Sequence, residues 1–342
     1  MKRRMGWILS LALLAGSLTG CAGAPAAEST GTSTAVSGAP ESAETPAAAE
    51  SANTPETSHA EAPAWPRTIT DFAEHEIVLE KKPERIALLH VFWMEHFLLL
   101  GAPPAASAIG NALGQTEALE ASEMYAPYLE NLEIINLGSA REINLEAILE
   151  SEPDVIVTHA AQGGVADVYD QLVQIAPVVL LDYAMPWQDQ LLACAEIVGK
   201  EDDARALIAE IEPAISGAKE AAERHTDRTF ALFRTDGKNF LAQGGAAYYD
   251  AFGLMRSEGF PASSGESLSL EAVAGMNPYY IAFQHNYDAS VSFVESLESS
   301  SVWQSLDAVK NGRIYYFDEN MNTFGPLAMQ LAAEKLADIY SE

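Results

Sequence analysis

The sequence predicts an α/β protein: two doubly wound lobes joined by one long helical segment. Three observations predict it. Short apolar runs of strand length alternate with helical periodicity, first from Ile86 to Leu181 and again from Phe230 to Tyr340. That is the βαβ pattern of a mostly parallel sheet covered on both faces. Between the two stretches, residues 187–224 contain almost no clustered strand formers. Finally, Asn144-Leu145-Glu146-Ala147-Ile148, followed by Pro153 and Ile156, recurs 125 positions later as Ser269-Leu270-Glu271-Ala272-Val273, followed by Pro278 and Ile281.

Taken in order, the chain begins with Lys2, Arg3 and Arg4, then an apolar run from Trp7 to Leu18. About a dozen residues are too few to span a bilayer and suit the core of a signal peptide. The run ends in Leu18-Thr19-Gly20-Cys21, which resembles a bacterial lipobox. That resemblance implies cleavage after residue 20, a lipidated Cys21, and anchorage on the extracellular face of the cell membrane. Two acyl chains anchor stably where one does not. Residues 22–64 are nearly all Ala, Ser, Thr, Pro, Gly and Glu, with Val36 the one bulky aliphatic residue. Such a segment buries too little apolar area to offset its ordering entropy. Residues 21–64 therefore read as the lipidated cysteine and a disordered tether, whose coil would span roughly 35–40 Å.

The globule starts at residue 65. Thr68–Asp71 and Glu76–Leu79 alternate as the arms of a hairpin. Ile86–Val91 reads as a strand, and the helix after it stops at Gly101. Ile134–Leu137, Asp154–Thr158 and Val178–Leu181 read as strands, separated by helices near Leu145–Glu150 and Val165–Gln174. This N-terminal lobe covers 65–185. The bridging helix covers 186–225, with Gly199 and Pro213 as points of interruption. Cys194 lies in its apolar pattern as a small buried hydrophobe, and no disulfide is expected. The C-terminal lobe, 226–342, has strands at Phe230–Phe233, Phe240–Gln243, Tyr280–Phe283 and Ile314–Phe317. Its helices fall near Ala246–Leu254, Leu270–Gly275, Val302–Lys310 and Leu327–Tyr340. In each copy of the repeat, Asn144 or Ser269 can cap a helix whose first turn carries the glutamate, favoured there by the helix dipole.

Charge narrows the function. The chain has 49 acidic and 19 basic residues, and the globule alone has 43 and 16. So acidic a surface repels phosphate backbones, which argues against nucleic acid. No Gly-x-Ser-x-Gly elbow, Walker loop or Gly-x-Gly-x-x-Gly is present, so hydrolysis or nucleotide chemistry has no carrier and no catalytic residue is assigned. The 7 histidines are scattered and no metal site is expected, since a metal-ion receptor needs converging ligands.

Several segments match a known family in order and spacing. They include Lys82-Pro83-Glu84-Arg85-Ile86, Leu99-Leu100-Gly101-Ala102-Pro103, Asn144-Leu145-Glu146 through Pro153-Asp154-Val155-Ile156, and Ala195–Lys200. Ser269-Leu270-Glu271 with Pro278, Trp303–Ile314 and Phe324-Gly325-Pro326 follow. Residues 67–342 thus resemble the substrate-binding proteins of ABC importers for ferric siderophores and cobalamin, the class with a helical backbone between lobes. The resemblance implies a ligand cleft between the lobes and no intrinsic cofactor. It implies a ferric siderophore as cargo, with haem, cobalamin or a bare metal ion as the alternatives. It also implies a monomer that docks on a permease dimer with ATPase subunits. Carried over by motif, Glu146 and Glu271 would pair with permease arginines.

Ligands of open α/β sheets sit beyond the carboxyl ends of strands. That rule selects His90 and Trp93 after the first strand, Arg141 before the Glu146 helix, and His159 after Asp154–Thr158. It selects Tyr183 and Trp187 after Val178–Leu181, and Arg234 after Phe230–Phe233. Tyr248 and Tyr249 follow the Gly244-Gly245 turn, His285 follows Ile281–Phe283, and Asn322 lies beyond Ile314–Phe317. Arginine offers a charge-assisted fork to an anionic chelate, and aromatics offer contact area at low entropy cost. The acidity of the globule argues the other way, against a highly anionic triscatecholate and toward a neutral hydroxamate complex.

Overall fold

The computed structural model describes residues 65–110, 115–284 and 287–341. The signal-peptide, Cys21 and tether assignments, and His285, lie outside them.

Among the described residues, twelve strands form three sheets. β1 (Arg67–Thr70) and β2 (Glu76–Leu79) make an antiparallel hairpin, Ile69 opposite Ile77. Asp71 closes its turn: Oδ1 accepts from the N–H of Ala73 and of His75, and Oδ2 from Leu180 N–H at 3.2 Å, which ties the hairpin to the N-terminal sheet.

That sheet contains β3 (Ile86–Leu88), β4 (Ala106–Ser107), β5 (Ile135–Asn136), β6 (Val155–His159) and β7 (Val178–Leu181). Its order is β5-β4-β3-β6-β7 and every pair is parallel. β3, β7 and the first three residues of β6 are apolar and buried, as both-face coverage requires. The entry to β3 is set by Asp154, whose carboxylate accepts from the N–H groups of Glu84 and Arg85 at 3.0 Å.

The C-terminal sheet contains β8 (Phe230–Thr235), β9 (Phe240–Gln243), β10 (Ser264–Leu268), β11 (Tyr280–Gln284) and β12 (Ile314–Phe317). Its order is β10-β9-β8-β11-β12. β8, β11 and β12 are parallel, whereas β9 and β10 are antiparallel additions at one edge.

The expected single bridging helix is two helices. Trp187–Val198 ends at Gly199, whose φ of 65° is a left-handed C-cap that glycine adopts without strain. The bridging helix proper, Glu201–Glu223, then runs 23 residues and passes straight through Pro213. The last helix, Pro326–Ser341, packs along it. Cys194 is buried and free.

Candidate functional site

The parallel strands of both sheets end at one region, and the loops leaving those ends enclose a cavity of about 1050 Å³. The N-terminal sheet contributes Phe92 after β3, and residues 183–188 with Gln190 after β7. The C-terminal half contributes Ala247, Ala251 and the segment Asn322–Phe324 after β12. The bridging helix supplies a wall through Glu212, Ile215 and Ser216, which share one face because they are three and four positions apart. The lining is mainly apolar and aromatic, with amides and hydroxyls interspersed, and Glu212 is its one charged side chain among the described residues.

The wall from β12 is held in place from the other lobe. Glu95, in the helix Met94–Leu99, is wholly buried. Its Oε2 accepts from Leu327 N–H at 2.8 Å and Ala328 N–H at 3.1 Å, the first N–H groups of the last helix. An anion at a helix N-terminus is favoured by the dipole and the orphan donors. Burial nevertheless pushes its pKa up to about 7, against the opposing pull of the Thr323 hydroxyl and of the Ala328, Leu327 and Gly325 N–H groups. Gly325 is glycine for a steric reason: a Cβ there would lie 2.3 Å from Glu95 Oε1.

Next to the cavity, His90, His159 and Tyr183 form an aromatic run. The two imidazoles are 5.7 Å apart, and His159 meets Tyr183 edge-on at 4.9 Å. His90 Nδ1 accepts from Phe92 N–H at 3.1 Å, which caps the 3-10 turn Val91–Trp93 and turns Phe92 toward the cavity. Burial lowers the pKa of both histidines, and for His159 the neighbouring His90 adds to the effect.

Residues 86–321 match the family model described as periplasmic binding protein. The chain belongs to the periplasmic binding protein family. Among curated relatives, it is 27% identical over 261 residues to the probable siderophore-binding lipoprotein YfiY of Bacillus subtilis, covering 69% of this chain and 75% of that one. It is 27% identical over 269 residues to the iron(3+)-hydroxamate-binding protein FhuD of the same organism, covering 73% and 79%. Among solved structures, the iron-uptake system-binding protein FeuA of Bacillus subtilis superposes with a TM-score of 0.65 at 23% identity, covering 79% of this chain and all of that one.

Within this periplasmic binding protein the residues selected from sequence separate into groups. Trp187 and Tyr183 line the cavity, as does Asn322. His90 and His159 border it through Phe92 and Tyr183. Trp93 is instead a core residue with no exposed surface, packed against Phe92 and His96, because the 3-10 turn points it inward. Tyr249 is also a core residue. Its hydroxyl accepts from Leu232 N–H and donates to the Phe230 carbonyl, bracing β8 from behind, and Arg256 stacks on its ring at 4.0 Å. Tyr248 is buried and donates to the Met321 carbonyl. Arg234 is half-buried, with Nε donating to the Gln284 carbonyl at 3.2 Å, and Arg141 is exposed; neither lines the cavity.

Sequence reasoning missed Phe92 and Glu212. Phe92 reads as one more apolar residue after β3, and Glu212 as one more acid on a solvated helix. The interior proline beside Glu212 was the available signal that this stretch of helix is special. No group of three or more His, Cys, Asp or Glu side chains is placed to hold a metal ion among the described residues.

Glu146 and Glu271 are both exposed, each in the first turn of a short helix, Leu145–Glu150 and Leu270–Met276. Asn144 Oδ1 accepts from Ala147 N–H at 3.1 Å, and Ser269 Oγ from Ala272 N–H at 3.2 Å. The caps fix both helix starts in the same way in the two halves. Among the described residues no helix is long and apolar enough to cross a membrane.

Proposed function

We propose that the protein captures an iron(III)-siderophore chelate in the 1050 Å³ cavity and delivers it to an ABC permease. The observation that carries this reading is the cavity itself. It is walled by loops from the carboxyl ends of both sheets and by the bridging helix, and its size and largely apolar lining suit a compact, shielded chelate. The similar proteins of Bacillus subtilis are named for siderophore and iron-hydroxamate binding. Iron arrives as cargo already wrapped by its chelator, so the protein needs no metal ligands and no cofactor of its own. The role is capture and delivery, not catalysis.

In this reading, residues 65–185 and 226–342 are lobes that close modestly about 186–225, because a helix is a stiff hinge. Cys21 carries the lipid anchor at the extracellular face of the membrane, residues 21–64 are the tether, and the protein acts as a monomer. Glu146 and Glu271 contact the two halves of the permease dimer. Each exposed ion pair contributes only about 0–1 kcal/mol, so recognition depends on engaging both.

The test is a tryptophan-fluorescence titration with ferric and iron-free siderophores, since Trp187 lines the cavity. Saturable sub-micromolar quenching by a ferric chelate and not by its iron-free form supports the reading. A response only to haem, cobalamin or free metal ions overturns it.

A further inference from the structure

The cavity's charge is informative about its ligand. Among the described residues its wall contains no Lys or Arg. The two imidazoles beside it, His90 and His159, are disfavoured as cations by burial. Arg234 and Arg141, the cations nearest in the strand-end plan, stand outside the lining. Among the described residues, the one charged side chain in the lining is the exposed carboxylate of Glu212. Gln188, also in the lining, donates from Nε2 to Glu212 Oε1 at 3.2 Å. A second groove of about 400 Å³ shares the segment after β12, and its charged side chains are all carboxylates: Glu123, Asp288, Asp318 and Glu319.

A chelate carrying several negative charges would have to shed its hydration here with no cation to receive it, which is strongly unfavourable. A chelate of zero charge needs only the aromatic walls of Phe92, Tyr183, Trp187 and Phe324 and the amides between them. A chelate with one protonated amine gains both a carboxylate partner and aromatic faces, which attract cations.

Resting on the ferric-chelate reading above, we infer that this cavity sorts iron chelates by charge. It takes neutral and singly cationic complexes and rejects polyanionic ones, and Glu212 on the bridging helix is the residue that reads the charge.

The experiment measures Kd at fixed ionic strength for the wild-type protein and Glu212→Gln. The ligands are a neutral ferric tris-hydroxamate, a tris-hydroxamate with a protonated pendant amine, a ferric triscatecholate and ferric citrate. The wild type should bind the cationic complex most tightly, the neutral one next, and the triscatecholate at least tenfold more weakly. Glu212→Gln should lose roughly two- to fivefold for the cationic complex, the range of a solvated ion pair. It should leave the neutral complex unchanged. Triscatecholate binding as tight as that of the neutral complex overturns the charge selection while keeping the ferric-chelate reading. An unchanged preference for the cationic complex in Glu212→Gln overturns the role of Glu212. Binding of none of the four overturns the ferric-chelate reading and this inference with it.

Discussion

Glu95 gives the protein a pH-dependent stability that one substitution isolates. Its carboxylate is buried where the helix Met94–Leu99 meets the start of the last helix, and its pKa stands at about 7 against an ordinary 4.5. A carboxyl whose folded pKa is raised stabilises the fold fully below its unfolded pKa and loses that contribution as pH rises through the folded one. Two and a half pKa units correspond to about 3 kcal/mol, lost between about pH 4.5 and pH 7. In a domain of this size that is a shift in Tm of roughly 6–12 °C. Other groups titrate too, so the difference from Glu95→Gln is what matters. The amide keeps the shape and an acceptor for Leu327 and Ala328 but never ionises. The groups around it do not confuse the window. Burial pushes Tyr125, Tyr248 and Cys194 well above their ordinary values and His96 down to about 3, and Asp318 adds to the field on both tyrosines in either protein. Thermal denaturation of both proteins from pH 4 to 8 should show the variant gaining about 3 kcal/mol on the wild type as pH rises through 7. Two parallel curves would refute the reasoning.

Further predictions follow from packing and exposure. Gly244→Ala places a Cβ 1.7 Å from the backbone carbonyl oxygen of Pro261, which cannot rotate away. It should cost more than Gly325→Ala, whose Cβ meets the Glu95 side chain; the Gly325 variant should lose about 1–3 kcal/mol by denaturant titration. Tyr183 is half exposed, so Tyr183→Ala should weaken chelate binding severalfold with Tm unchanged. Trp93→Phe should do the reverse, lowering Tm by creating a void while leaving Kd alone. Glu146→Ala with Glu271→Ala should abolish iron uptake in cells and leave Kd intact; loss of binding would make those glutamates structural.

The sequence is most legible where one physical signal acts alone. β7 and β12 are short apolar runs and fall where the pattern puts them, and Asn144 and Ser269 cap the helices they precede. Legibility fails where signals compete. β10, Ser-Gly-Glu-Ser-Leu, is an exposed edge strand with a register irregularity, held by pairing to β9 and not by any apolar alternation. The helix Tyr287–Leu297 hides behind its serines, which favour turns as readily as helices. Gly199 and Pro213 carry similar breaking signals, yet only Gly199 ends a helix, at a left-handed C-cap that glycine adopts without strain. At the site, strand-end placement finds the right loops but not which way each side chain turns. It groups Trp93 with Trp187, although a 3-10 turn sends the first into the core. It passes over Glu212, which joins the lining beside Gln188, its hydrogen-bond partner from the segment after β7.

The most direct test of where the ligand sits is an X-ray measurement at the iron absorption edge on crystals grown with a bound ferric hydroxamate. One anomalous peak is predicted, inside the cavity walled by Phe92, Tyr183, Trp187 and Phe324, with no protein atom coordinating the iron. An iron peak elsewhere on the molecule, or one ligated directly by His90 or His159, would contradict the assignment of this cavity as the chelate site.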